Sequence, residues 1–342
     1  MRIFLVSIMM AGGLFTAAAQ QPMMLGATFG GKPAPGSITT LAEARATTRP
    51  DTVKEVDLTG QQLTAVPVEV FRFRNLEKLI LSNNKITRLP GRITRLRHLR
   101  VLSLSGNRLD PRRTKFRRNR HLQILNLQYN QLAALPKGIA RNKALAQLVI
   151  GNNKLTQLKG NQVKRWRNLR EINLYNNKLT VLPAEIGSLR HLTTLDLYRN
   201  DLTTLPASVT ELPNLSVLAV AYNRLDQLPD GLGQLSGLRA LYCHHNQLHR
   251  LPESTARLQH LTVLDMGYNW FDAVPAPVLS LRQLEDLDIS YNQIGHLPDE
   301  VASLPGLRRV VLSGNPFLAP DETRPKYEKL ITLLNKQAQV VD

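Results

Sequence analysis

The chain holds a single cysteine, Cys243, among its 342 residues. One thiol excludes internal disulfides and any cysteine-rich metal centre. Aromatic residues make up only 5%, with two tryptophans. Acids are short too: 26 Asp and Glu against 44 Lys and Arg leave a formal net charge of +18. That imbalance keeps polyanions in view as partners. Enzyme signatures are missing as well. There is no G-x-S-x-G, no phosphate-binding glycine loop, and no Ser/His/Asp set whose spacing would converge. His244, His245 and His249 lie close in sequence, but neighbours on a strand point to opposite faces and no cysteine joins them. The expectation is a non-catalytic protein that needs no cofactor and no metal.

What is present is a period. Leu192, Leu195, Leu197, Asn200, Leu202, Leu205 and Pro206 return as Leu215, Leu218, Val220, Asn223, Leu225, Leu228 and Pro229. The asparagine sets the register from Asn84 to Asn315, in steps of 23 residues except the 24 between Asn153 and Asn177. With an opening unit at Val53–Leu63, where Gln61 replaces the asparagine, there are twelve copies. In L-x-x-L-x-L the last two leucines fall on one face of a strand. A strand so short cannot bury one face alone, so it stacks parallel on its neighbours and the leucines merge into one core. Each fully buried Leu or Ile contributes roughly 1.5–3 kcal/mol. The asparagine amide can both donate to and accept from backbone groups where the chain leaves the strand. Proline at positions such as Pro90, Pro206 and Pro298 then forbids strand continuation. Apolar residues three apart in the return segment predict one or two helical or 3₁₀ turns. Cys243 takes an inward strand position, like Val220 and Met266, and reads as core filler.

These units resemble the leucine-rich repeat family in its L-P-x-x-[IVL]-x-x-L form, over residues 53 to about 320. The resemblance implies an α/β repeat solenoid: a curved horseshoe with a parallel concave β-sheet and short helical or 3₁₀ segments on the convex side. It also implies macromolecular binding rather than catalysis. Extracellular members in animals and plants usually carry cysteine-bridged caps, and their absence here resembles secreted or envelope proteins of bacteria.

Outside the repeats the chain divides as follows. Residues 1–19 read as a signal peptide: Arg2, the apolar run Ile3–Phe15, then small residues before cleavage near Ala19. The mature chain is then secreted, periplasmic or in the cell envelope, without an integral membrane span, and monomeric. The alternative is a cytoplasmic protein resembling the signalling scaffolds that use the same repeat. Residues 20–37 form a Gly/Pro-rich leader. Residues 38–52 contain an N-terminal helical cap, with capping-box spacing at Thr40 and Glu43 and a helix from about Leu41 to Thr47 that would cover the first strand. The solenoid runs over 53–320. Residues 321–342 form a C-terminal helical cap, with Tyr327, Leu330, Ile331 and Leu334 at helical spacing.

Two surfaces are candidates. Seven of the eight tyrosines fall at positions flanking the core leucines. Tyrosine offers a large rigid contact with a polar tip. An unidentified protein ligand would therefore meet Tyr175, Tyr198, Arg199, Tyr222, Tyr242, His244, His245, Asp265, Tyr268, Asp288 and Tyr291 on the concave face. Asp196 and Asp286 are expected to share that surface. The alternative is an anionic polymer (glycan, lipopolysaccharide or nucleic acid) held by the basic flank Arg108–Arg120, through Arg112, Arg113, Lys115, Arg117, Arg118 and Arg120. Between Lys85 and Arg120 there are thirteen Lys or Arg and one acid, whereas Asp196–Glu300 carries thirteen acids and six bases.

Overall fold

In the computed structural model the described residues are 34, 36–318, 328, 330–332, 334, 335 and 338–341. The signal-peptide reading, most of the leader and Tyr327 lie outside them. Each unit contributes a three-residue strand, from β1 (Glu55–Asp57) to β12 (Arg309–Val311). All pair parallel with their sequence neighbours in one open sheet, and a thirteenth strand, β13 (Gln339–Val341), follows β12. This is a leucine-rich-repeat horseshoe. Behind the sheet lies one continuous core in which the repeat leucines are almost wholly buried, with Phe73, Trp166, Phe271 and Phe317 as its largest members.

The return segments are 3₁₀ turns, and the reason is local. Pro67, Pro90, Pro183, Pro206, Pro252, Pro275 and Pro298 each sit just before such a turn, with φ between −57° and −73°. Proline therefore presets the backbone for tight winding. Two units depart. The third has Arg113 in the proline position, lacks the 3₁₀ turn, and instead bridges Lys115 to Lys137 with Phe116 buried beneath. The unit of 24 residues uses its extra residue to wind one α-helical turn, α2 (Gly160–Val163), which seats the fully buried Trp166.

Eleven asparagines run through the interior as a ladder. Asn200 is typical: its Nδ2 donates to the carbonyls of Leu174 and Leu197, and its Oδ1 accepts the Leu179 N–H at 3.1 Å. The same three bonds recur from Asn84 to Asn315. Each side chain therefore satisfies buried backbone groups in its own repeat and in the one before it.

At both ends of the sheet non-repeat chain adds a strand pairing beside the helical residues. Helix α1 (Leu41–Ala46) starts at a capping box formed by Thr40 and Glu43. It packs on the convex turn Val68–Arg72 through Arg45–Glu69, with Ala44 buried in the same core as Val53 and Val56. The edge of β1 is covered by Ile38, whose N–H donates to Glu55 and whose carbonyl accepts from Asp57. At the other end Leu330 and Leu334, in helical conformation, are buried against the core, and β13 covers the edge of β12. Both edges are thus paired by non-repeat chain, which removes exposed strand templates.

Candidate functional site

The structure sorts the tyrosines by their distance from the ladder asparagine. Among the described tyrosines only Tyr242 lies on a strand proper, β9 (Ala240–Tyr242). Tyr175 and Tyr198, two residues before their asparagines, are 7% and 6% exposed. They do not face solvent as the sequence suggested. Tyr198 leans on Tyr175 at 5.4 Å between ring centres, and both pack with Ala221, whose small side chain in the next repeat leaves room. Burial pushes the Tyr198 hydroxyl well above its ordinary pKa. Asp196 is likewise 1% exposed, not on the surface, and accepts hydrogen bonds from the Tyr198 N–H and Asn173 Nδ2. Its carboxyl is pushed up to about 7, chiefly by desolvation.

The residue immediately before the ladder asparagine, or before Gln61 in the first unit, is left-handed in all twelve units. Glycine takes that position at Gly60, Gly106 and Gly314, and asparagine at Asn83, Asn152 and Asn176. These are the residues that tolerate positive φ best. In the remaining units Tyr129, Arg199, Tyr222, His245, Tyr268 and Tyr291 hold φ of 49–55°. The turn puts His244 and His245 into the same aromatic cluster, 5.4 Å apart, rather than on opposite faces, because the strand ends at Tyr242, before both of them.

Four consecutive rings in this left-handed column form a stack. Tyr222 to His245, His245 to Tyr268 and Tyr268 to Tyr291 are 3.9, 4.0 and 4.2 Å between centres, all within 18° of parallel. The Arg199 guanidinium lies 5.1 Å from the Tyr222 ring centre and ends the stack on one side. At the other end stands Gly314, where a Cβ would press on the Tyr291 ring. Tyr268 and Tyr291 are 42% and 50% exposed. The stack lines an open groove of about 750 Å³, together with Arg199, Asp201, Arg224 and the exposed Trp270. Sequence reasoning missed Trp270; its place one residue after a ladder asparagine was the available signal.

Beside the stack, on the strands, lies a carboxylate group. His244 Nδ1 is 2.7 Å from Asp265, and Asp286 pairs with Arg309 at 2.9 Å. Asp288 accepts from the Ser290 hydroxyl and N–H. Burial, then the like charge of Asp265, pushes Asp288 up to about 6. Tyr242 is raised to about 12 by burial and by Asp265 and Asp286. His245 is pushed down to about 4, by burial first and then by His244. Among the described residues no group of three or more His, Cys, Asp or Glu is placed to hold a metal ion. Cys243 is wholly buried, and burial raises its thiol.

On the basic flank Arg112, Arg113, Lys115, Arg117, Arg118 and Arg120 are all exposed, and among the described residues none forms an ion pair. The Arg117 guanidinium lies against Gly91 of the preceding repeat.

Comparison with known proteins agrees with this geometry. Family models described as leucine-rich repeat match residues 51–109 and 259–317, 118–134, and, as a leucine-rich repeat region, 151–247. No curated protein matches the chain. A leucine-rich repeat protein of Leptospira interrogans is 32% identical over 90% of this chain and 81% of that one, with a TM-score of 0.75. The ectodomain of a plant membrane receptor kinase from Arabidopsis thaliana, solved with Casparian strip integrity factor 2, is 25% identical at a TM-score of 0.68. The match covers 90% of this chain but 37% of that one. The Toll–Spätzle complex of Drosophila gives 26% identity and a TM-score of 0.68, over 78% of this chain and 38% of that one. Among the described residues no helix is long and apolar enough to cross a membrane. The repeat fold supports a protein-interaction role, and such repeats are generally non-catalytic modules. From its repeats, its fold and these matches, the chain belongs to the leucine-rich repeat family.

Proposed function

We propose that the protein is exported and binds a protein partner, without catalysis, along the aromatic tract of its sixth to eleventh repeats. One observation carries this reading: tyrosines are held left-handed, stacked and partly exposed beside an open groove. A bulky side chain at positive φ costs about 1–2 kcal/mol relative to the favoured basin. Neighbouring units of the same chain avoid that cost with glycine or asparagine. Backbone strain of this kind collects at binding sites more than elsewhere. Stacked rings also lose little entropy on binding, since they are already ordered. Tyr175, Tyr198 and Asp196 serve beneath the surface as the support on which Tyr222 rests. The plant and Drosophila structures are complexes with Casparian strip integrity factor 2 and with Spätzle, which supports a ligand of the same class here.

The test is capture of partners from cell and envelope extracts on the immobilised mature chain, beside a Tyr268→Ser/Tyr291→Ser variant. A partner held by the parent at moderate salt and lost by the variant is the expected result, with acrylamide quenching of Trp270 reduced by that partner. Equal retention by both chains would overturn the reading. Mass spectrometry of the chain recovered from the producing cells checks export: the N-terminus should be Gln20, and an intact Met1 on cytosolic protein would refute it.

A further inference from the structure

The opposite flank, where the chain leaves each 3₁₀ turn and re-enters the sheet, carries cations in register. Two residues before the first leucine of six successive units stand Arg74, Arg97, Arg120, Lys143, Arg167 and Arg190. Two residues earlier stand Arg72, Arg95, Arg118, Arg141 and Arg165. All eleven are exposed, and the residue between the two rows is largely turned into the core, as with Phe73, Leu96 and Trp166. The outermost cations are tied down: Arg72 donates to the carbonyls of Arg45 and Thr47, and Arg190 to that of Glu211. Among the described residues, none of the nine between has an ion pair. Beyond them the rows are no longer continuous. Glu211, Pro213, Gln234, Ser236 and Gln259 take the same positions in the next units, and Arg257 and Arg282 recur there singly.

Like charges repeated at one position of adjacent strands repel one another, so the fold itself gains nothing from the rows. Pro213, Gln234, Ser236 and Gln259 show that the fold accommodates uncharged residues there. With strands roughly 4.8 Å apart, six repeats set out a strip at least about 24 Å long and two side chains wide. Ten of the eleven cations are arginine, whose planar fork matches carboxylate, sulfate and phosphate oxygens. A line of this shape fits an extended polymer better than a bilayer, and no exposed large apolar side chain lies between the rows to enter one. Nor is there a Phe, Tyr or Trp platform for bases. Among the described residues His98 and His121 are the only ring pair on this flank, and they are 6.3 Å apart. Beside the rows, Asn75, His98, His121, Asn168 and His191 add hydrogen-bonding groups suited to hydroxyls.

We propose that this double row is a binding site for a linear acidic polysaccharide, bearing carboxylate or sulfate groups along an extended chain. It extends the Arg118 and Arg120 positions along six repeats and is independent of the aromatic stack. The experiment measures the affinity of the full mature chain for heparin across a salt series, with a charge-matched oligothymidylate, a DNA duplex and phosphatidylglycerol vesicles as competing arms. One variant carries Arg97→Gln, Arg120→Gln, Lys143→Gln and Arg167→Gln. A control with the same net charge carries Lys154→Gln, Lys178→Gln, Arg239→Gln and Arg250→Gln. The row variant should lose at least tenfold in heparin affinity and show a shallower salt dependence, and the control should stay within threefold. Unchanged circular dichroism of both variants, and partial recovery when lysine replaces the glutamines, separate binding from folding. Equal loss in both variants, no heparin binding in the parent chain, or tighter binding of DNA or vesicles would each overturn the proposal.

Discussion

A left-handed residue precedes every ladder asparagine because one reversal of φ is what turns the following amide inward. Its own N–H remains in use: that of Tyr222 donates to the His244 carbonyl, and that of Tyr291 to the Ser313 carbonyl. The conformation is therefore fixed by the repeat, and only the cost varies with the side chain. Tyr129 isolates that cost, since its ring is 59% exposed and takes part in no ring pair. Replacing it with glycine removes the left-handed penalty but loosens the unfolded chain. Tyr129→Gly should therefore stabilise the protein by about 0.5–1 kcal/mol in denaturant unfolding. Tyr268→Gly should show no such gain, because losing two stacked neighbours removes about 0.5–1.5 kcal/mol per pair. Destabilisation by Tyr129→Gly would mean that its ring does more than the geometry shows.

At the scale of elements, most of the architecture was readable before any coordinates. The 23-residue step gave the strands, the leucine spacing gave the buried face, and the prolines gave the turns. Asn200 and its equivalents were readable because an inward amide has few other uses. The irregular elements were not. One extra residue announces a departure, but not that it becomes the α-turn of α2 under Trp166. Nor does a periodic pattern report on non-repeat chain, so Ile38 and Gln339–Val341 gave no sign of pairing with the sheet. The candidate site was legible only in outline. Counting back from each asparagine separates Tyr198 from Tyr222, yet burial of one and exposure of the other depends on Ala221 and on the left-handed turn. The closing strand can be tested directly. Deleting Gln339–Asp342 uncovers the N–H and C=O groups of β12, so the truncated chain should self-associate in light-scattering chromatography as concentration rises. A truncated chain that stays monomeric across that range would show that the edge is protected by something else.

For the whole molecule, buried ionisable groups on the sheet tie stability to pH in opposing directions. Asp196 and Asp288, raised to about 7 and about 6, hold their protons more tightly folded than unfolded. Their contribution is complete below about pH 4 and is lost as pH rises towards 7. His245, lowered to about 4, acts the other way and removes stability as pH falls from about 6.5. The Asp196→Asn variant should separate the two. Its unfolding midpoint should exceed that of the parent chain at pH 8 and approach it near pH 4, a difference of about 1–4 kcal/mol across the range. A constant offset between the two chains would place the carboxyl's titration outside this window. The asparagine ladder has a further consequence, for chain synthesis. Every rung bonds backward: Oδ1 of Asn200 accepts the Leu179 N–H, and its Nδ2 donates to the Leu174 carbonyl, both in the repeat already made. On a ribosome adding about 5–20 residues per second, a newly emerged repeat keeps an unpaired turn for roughly one to five seconds, until its successor supplies the amide. The solenoid is thus completed one unit behind the point of translation, and a pause between repeats leaves a single open rung rather than an unfolded domain.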